Sequence, residues 1–209
     1  GSSHPAKTMA DRFMHEVLAP SVLDAQETYY GRRYATAESA PESEALRPQE
    51  REFIEGRDSF YLGTVTEGGW PYVQHRGGPK GFLRVSGPRE LLFADYGGNR
   101  QLVSVGSLSA GDRVSLFLMD YPSRRRLKML GHAEVLDARR HPELVAASEP
   151  PGGHGAAPER IFRIEVLSYD WNCPKFITPR FTAEEVAEAV EPLKARLAEL
   201  ETELARLRS

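Results

Sequence analysis

A succession of short β-branched and aromatic segments between Ser59 and Asp137, punctuated by glycine and proline, confines this chain to a small antiparallel β structure. Ser59 to Thr66 is the first segment. Glu67, Gly68 and Gly69 supply the left-handed backbone positions of a tight connection, and Trp70 to Arg76 runs back as the second arm of a hairpin. Glu90 to Tyr96 reads as the next strand, followed by Val114 to Tyr121 and Leu127 to Leu136 as a pair. Pro122 and Ser123 turn the chain between those two, so Arg124, Arg125 and Arg126 fall on the turn and the opening of the second strand. Ile161 to Tyr169 returns as a last strand, and Asp170 to Lys175 closes the zone. The expectation is a mainly β chain with flanking helices, of α+β class, built around one barrel.

Two connections carry an anion-directed pattern. The loop Gly77-Gly78-Pro79-Lys80-Gly81 lacks bulky side chains, so its backbone N–H groups are expected to approach a negative ligand while Arg76 and Lys80 add charge. Gly97 to Gln101 leads into Leu102, Val103, Val105 and Leu108, a helical rhythm whose first turn would aim unpaired N–H groups at a phosphate. Taken alone, the arginine triplet reads as a solvated turn, His75 can be an ordinary strand histidine and Trp171 core packing.

In their order, these pieces resemble the pyridoxamine 5'-phosphate oxidase-like family of FMN-binding split barrels. The resemblance covers roughly residues 49 to 178 and runs through Gly63 to Thr66, Pro71 to Pro79, Leu92 to Asp95, Gly98 to Gln101, Arg113 to Phe117 and Arg125 to Lys128. It implies a split β-barrel of FMN-binding type, a homodimer, and FMN at the subunit interface. The strand and loop Gln74, His75, Arg76, Gly77, Gly78 and Pro79 would line the flavin. Asn99, Arg100 and Gln101, with Ser104, would hold the phosphate. Arg125, Arg126 and Lys128 would lie by the ring system, and Trp171 would approach the flavin of the other subunit. The Arg-rich C-terminal signature and basic cluster that true oxidases use for pyridoxal phosphate are not evident, so fold and cofactor carry over better than substrate. The implied activity is an FMN-dependent oxidoreduction of a small molecule, with NAD(P)H as a candidate electron donor and no catalytic residue named. Readings as a barrel for F420 or haem, or as a flavin carrier or sensor without turnover, stay open.

Composition narrows the alternatives. With 27 Lys and Arg against 30 Asp and Glu, the net charge of -3 offers no broad basic field, which argues against nucleic acid as a partner. The single cysteine, Cys173, excludes an intramolecular disulfide and fits a cytoplasmic setting. No apolar run reaches the roughly 20 residues of a spanning helix, so no membrane partner is expected. The six histidines stand at 4, 15, 75, 132, 141 and 154, without the pairing or adjacent cysteines of a zinc site. Nucleophile-elbow, dinucleotide and P-loop glycine motifs are missing as well.

Three zones result: an extension over residues 1 to 48, the barrel over 49 to 178, and a C-terminal helix over 179 to 209. Gly1 to His4 reads as an expression remnant, with Met9 as native start. Asp11 to Leu18 and Pro20 to Tyr30 read as short helices, the second stopped by Gly31, and Pro48 opens another with Phe53 and Ile54 facing inward. His141 to Ala147 reads as a short helix, and Glu149 to Ala157, rich in proline and glycine, as a mobile surface loop or lid. At the end, Thr182 and Glu185 form a capping-box pattern. Beyond it Val186, Val190, Leu193, Leu197, Leu200, Leu204 and Leu207 alternate spacings of four and three. Pro192 is expected to kink or restart that helix. The stripe would pair with a second copy or pack on its own barrel.

Overall fold

The computed structural model describes residues 9–98, 100–171 and 173–208. The chain divides into two compact units, one comprising residues up to 119 with 125–173, the other 120–124 with 174–209.

The first unit is built on a seven-stranded sheet. Its strands are β1 (Ser59–Val65), β2 (Pro71–Gly77), β3 (Arg84–Val85), β4 (Glu90–Asp95), β5 (Arg113–Asp120), β6 (Arg125–Asp137) and β7 (Arg160–Trp171), in the spatial order β2-β1-β5-β6-β7-β4-β3. In the β1–β2 hairpin Val65 sits opposite Pro71, and of the predicted left-handed positions only Gly69 adopts one, with φ of 86°. The sheet must curl. β1 and β4 are four places apart in the strand order, about 19 Å if flat at ~4.8 Å per strand, yet the rings of Phe60 on β1 and Phe93 on β4 are 5.3 Å apart. Phe93 stacks in turn on Phe162 of β7, at 4.6 Å. These rings, with Leu62, Leu91, Leu116, Leu118, Leu127 and Ile164, fill the barrel. The fold is thus a mainly β split barrel with flanking helices.

The helices appear where the sequence places them, and each does a different job. Helix α1 (Met9–Val17) packs on β7 and buries Phe13. Helix α2 (Pro20–Tyr30) has proline in its first turn and ends at Gly31, whose φ of 66° lets its N–H reach the carbonyl of Glu27. It buries nothing. Helix α3 (Pro48–Glu55) buries Phe53 and Ile54, and also Glu50. Helices α4 (Val103–Ala110) and α5 (Pro142–Ser148) follow β4 and β6. No described helix is long and apolar enough to cross a membrane.

Glu50 is a fully buried carboxylate, and its partners decide whether that is tolerable. Its Oε1 accepts from the indole Nε1 of Trp171 at 2.9 Å and from Nη2 of Arg47 at 2.9 Å, and its Oε2 accepts the backbone N–H of Arg47 at 3.2 Å. One side chain therefore caps α3 at its first turn and ties it to the last residue of β7. Phe53 meets the indole edge-on at 4.8 Å, which closes the clasp.

The second unit contains α6 (Ala183–Arg208), where Thr182 and Glu185 bond reciprocally, backbone to side chain, as the capping box requires. The expected restart at Pro192 does not occur; the helix is unbroken. Glu188, whose carbonyl loses its partner to proline, is exposed, so water can take that bond. No residue of α6 is buried.

Burial alone would push the Glu50 carboxyl up, but hydrogen bonds from Arg47 and Trp171 outweigh it and hold the group below its ordinary value. A depressed folded-state value means that the stabilisation is complete above the unfolded value, about 4.3, and is lost as pH falls through the lower one. Denaturant titrations between pH 7 and pH 2 should therefore show a loss of stability below about pH 4.3 that Glu50→Gln reduces. Trp171→Phe, which removes one donor and keeps most of the ring, should cost about 1–3 kcal/mol at pH 7.

Candidate functional site

Strand β2 lies at one edge of the sheet, and its residues alternate between exposed and half-buried. Gln74 and Arg76 stand opposite Leu62 and Phe60, both buried, so they project to the barrel side together with Tyr72. His75 projects to the other side. It is exposed, with its ring 5.6 Å from that of Tyr61.

Because the sheet curls, the Arg76 guanidinium arrives over the aromatic stack, 5.0 Å from the Phe162 ring and 5.6 Å from Phe93. Its Nε is buried without a hydrogen-bond partner. Burial lowers the tendency of this guanidinium to stay charged; nearby Asp95 opposes that effect and Arg160 adds to it. Asp95 itself is occupied. Its Oδ2 accepts from Nε of Arg160 at 2.9 Å and its Oδ1 from the N–H of Gly97 at 3.2 Å.

Between Asp95 and α4, Gly97, Arg100 and Leu102 are left-handed, with φ of 85°, 62° and 55°. This winding brings the start of α4 against β2, where Ser104, buried, donates to Gln74 Oε1 at 2.8 Å. Leu102, at the N-cap, supplies no side-chain cap to the helix. A cavity of about 180 Å³ results, bounded by Tyr72, Gln74, Arg76, Gly97, Arg100 to Val105, Asp95 and Arg160. Three arginines and one carboxylate border it, so the cavity is net positive. It suits an anion.

A second chamber of about 480 Å³ shares Gln74, Arg76, Asp95, Gly97 and Gly98 with the first. Phe82 and Phe93 border it, with His75 to Pro79 along one side. The segment after α5 contributes Pro150 and His154, and the His154 ring stacks on Tyr96 at 3.6 Å between centroids, 9° from parallel. Burial, followed by the charge of Glu149, raises the Tyr96 hydroxyl above its ordinary value. A side chain at Gly81, whose φ is 86°, would strike Pro151. The proline- and glycine-rich segment is thus packed against the chamber.

The expected site residues divide. Gln74, Arg76, Arg100, Gln101 and Ser104 meet at the smaller cavity, while His75, Gly77, Gly78 and Pro79 border the larger one. Asn99 lies outside the described residues. Two of the glycine loop's backbone donors, expected to face an anion, are spent internally, as is that of the residue after the loop. Gly78 N–H bonds to the Asp58 carbonyl at 3.0 Å, Gly81 N–H to Arg57 at 3.1 Å and Phe82 N–H to Pro79 at 2.9 Å. Arg125, Arg126, Lys128 and Trp171 border neither chamber. The Arg125 guanidinium lies 4.5 Å from the Trp171 ring and 5.3 Å from Phe53, and Lys128 pairs with Asp170 at 3.6 Å. Arg126 keeps a buried Nε without a partner. Tyr72, Asp95, Tyr96, His154 and Arg160 were not anticipated; the two-residue period of β2 signals Tyr72, but nothing local signals the rest.

A family model described as pyridoxamine 5'-phosphate oxidase matches residues 46–170. The chain belongs to that family. No curated protein matches it. Among solved structures, a putative pyridoxamine 5'-phosphate oxidase from Lactobacillus delbrueckii is 19% identical with a TM-score of 0.47, over 60% of this chain and 93% of that one. An F420 reductase is 20% identical with a TM-score of 0.40, over 59% and 98%. The haem storage protein HutZ from Vibrio cholerae is 17% identical with a TM-score of 0.41, over 60% and 94%. For this member of the pyridoxamine 5'-phosphate oxidase family, the Tyr96–His154 stack should hold the segment from 149 to 157 in place. Tyr96→Ala is expected to speed limited proteolysis within that segment severalfold; an unchanged rate would mean that the packing of Pro151 on Gly81 suffices.

Proposed function

We propose that this protein binds FMN and acts as an FMN-dependent oxidoreductase of the pyridoxamine 5'-phosphate oxidase-like class on a small molecule. The observation that carries this reading is Arg76, a half-buried guanidinium with an unanswered Nε, which borders a net positive cavity together with Arg100 and Arg160. A phosphate monoester is the form of anion this donor set fits best. It offers several acceptor oxygens to Arg76, Arg100 and the start of α4, and charge-assisted bonds of this kind are the strong ones. The neighbouring chamber falls within the ~300–1,000 Å³ usual for cofactor sites and supplies aromatic surface at Phe82, Phe93 and Tyr96 for a flat ring.

When bound, FMN supplies hydride and electron transfer, with NAD(P)H as the proposed donor. The protein's part is positioning. Gln74 and Ser104, fixed by their mutual bond, present polar groups to the ribityl chain, and Tyr96 with His154 restricts water on one side.

The proposed assembly is a homodimer with the flavin where two copies meet. Its support is the outward side of β1 and β2, which leaves Tyr61, Val65 and Val73 exposed, with Phe117 of β5 opposite Tyr61. In that assembly Arg126 is the residue proposed to lie beside the flavin ring. Trp171 offers only its ring, its N–H being committed to Glu50. A carrier or sensor role without turnover has one observation in its favour. Asp95, the acid bordering both chambers, is held by Arg160 and Gly97 and is not free to act as a base beside the ring.

An absorption spectrum of the purified protein separates flavin from F420 and haem, and bleaching by NADPH separates enzyme from carrier. Fluorescence titration of the apoprotein should give tighter binding of FMN than of riboflavin. Arg76→Ala should weaken FMN by about 10- to 100-fold, as expected for a charged hydrogen bond of ~1.5–3 kcal/mol, and leave riboflavin nearly unaffected. Equal losses for both ligands would remove the phosphate from Arg76.

A further inference from the structure

The exposed stripe on α6 is a heptad seam with a specified partner. Val190, Leu197 and Leu204 occupy the a positions, and Val186, Leu193, Leu200 and Leu207 the d positions, without a break in the alternation of three and four. Leu193, Leu197 and Leu207 are 69%, 57% and 72% exposed, an apolar load that one helix does not leave in water without cost. Pro192 falls at a c position, on the side away from the seam, so its missing donor leaves no gap between paired helices. The residues flanking the seam are charged in a complementary way. The g positions carry Arg196 and Glu203, and the e positions that follow them in the next heptad carry Glu201 and Arg208.

We propose that α6 pairs in parallel and in register with α6 of a second copy of this chain. In that arrangement each g residue faces the e residue five positions on in the other copy, so Arg196 meets Glu201 and Glu203 meets Arg208. All seven apolar positions then face their own counterparts. An antiparallel pairing centred on Leu197 and Leu200 leaves Val186 without an opposite layer. Arg196 now bonds Glu199 along its own helix at 3.0 Å, an exposed contact that the interhelical pair would replace. This inference does not rest on the flavin reading.

The test uses the full chain with Cys173→Ser, which removes the exposed native thiol, and Leu207→Cys near the end of the seam. Mild oxidation should convert most of the protein to a disulfide dimer, because parallel pairing sets the two thiols side by side. An antiparallel pair separates them by about 25 Å, at 1.5 Å rise per residue. Cross-linking should survive at micromolar protein, fall about fivefold or more on adding Glu201→Arg, and recover when Arg196→Glu is added as well. Three results overturn the proposal: thiols that stay reduced in a protein that sediments as a dimer, a sedimenting monomer, or a mixture of Val190→Cys and Leu207→Cys chains that cross-links where neither does alone. Flavin absorbance, read on the same samples, reports on the FMN reading separately.

Discussion

Contact between Phe60, Phe93 and Phe162 is the constraint on which the rest of the barrel depends. An edge strand of a flat sheet would hold its basic residue in water. Here the aromatic contacts draw β1 and β4 together across the interior, and β2, bonded to β1, is carried round with them. Arg76 consequently lands on the faces of Phe93 and Phe162, beside a second arginine that belongs to β7. The positive cavity is a product of sheet curvature more than of any local motif.

Asp95 shows how this cavity is kept from collapsing electrostatically. Three arginines sharing one small space would repel one another, and the carboxylate at the end of β4 holds one of them and a backbone donor at the same time. The Arg76 Nε is left buried without a partner, which raises the pull of its guanidinium on an anion. A ligand that answered it would bind where the protein has already borne the cost of desolvating the donor.

Six of the strands were legible because β-branching, apolar runs and glycine punctuation act locally; β3, two residues long, is too short to carry such a pattern and was not read. The capping box at Thr182 and the glycine stop at Gly31 were legible for the same reason. So was the meeting of Gln74, Arg76, Arg100, Gln101 and Ser104, through the order in which a resembling family uses such residues. The rest depended on distance along the chain. Asp95 and Arg160 are brought opposite one another by the β4–β7 register, and His154 reaches Tyr96 from a segment whose composition suggested only looseness. The glycine loop has a second role that its composition did not signal: Gly78 and Gly81 accommodate Phe82 and Pro151, and their amides answer carbonyls of the α3–β1 connection.

The clasp at Glu50 also fixes how the molecule can be watched. There are two tryptophans, and they occupy opposite extremes: Trp70 is 76% exposed at the tip of the first hairpin, while Trp171 is partly buried with its indole bonded to a carboxylate and a guanidinium over its face. Their emission therefore reports on different events. Quenching by a dissolved ion reads the hairpin tip, and the emission that resists quenching reads the joint between α3 and β7, so loosening of that joint can be followed optically without adding a label.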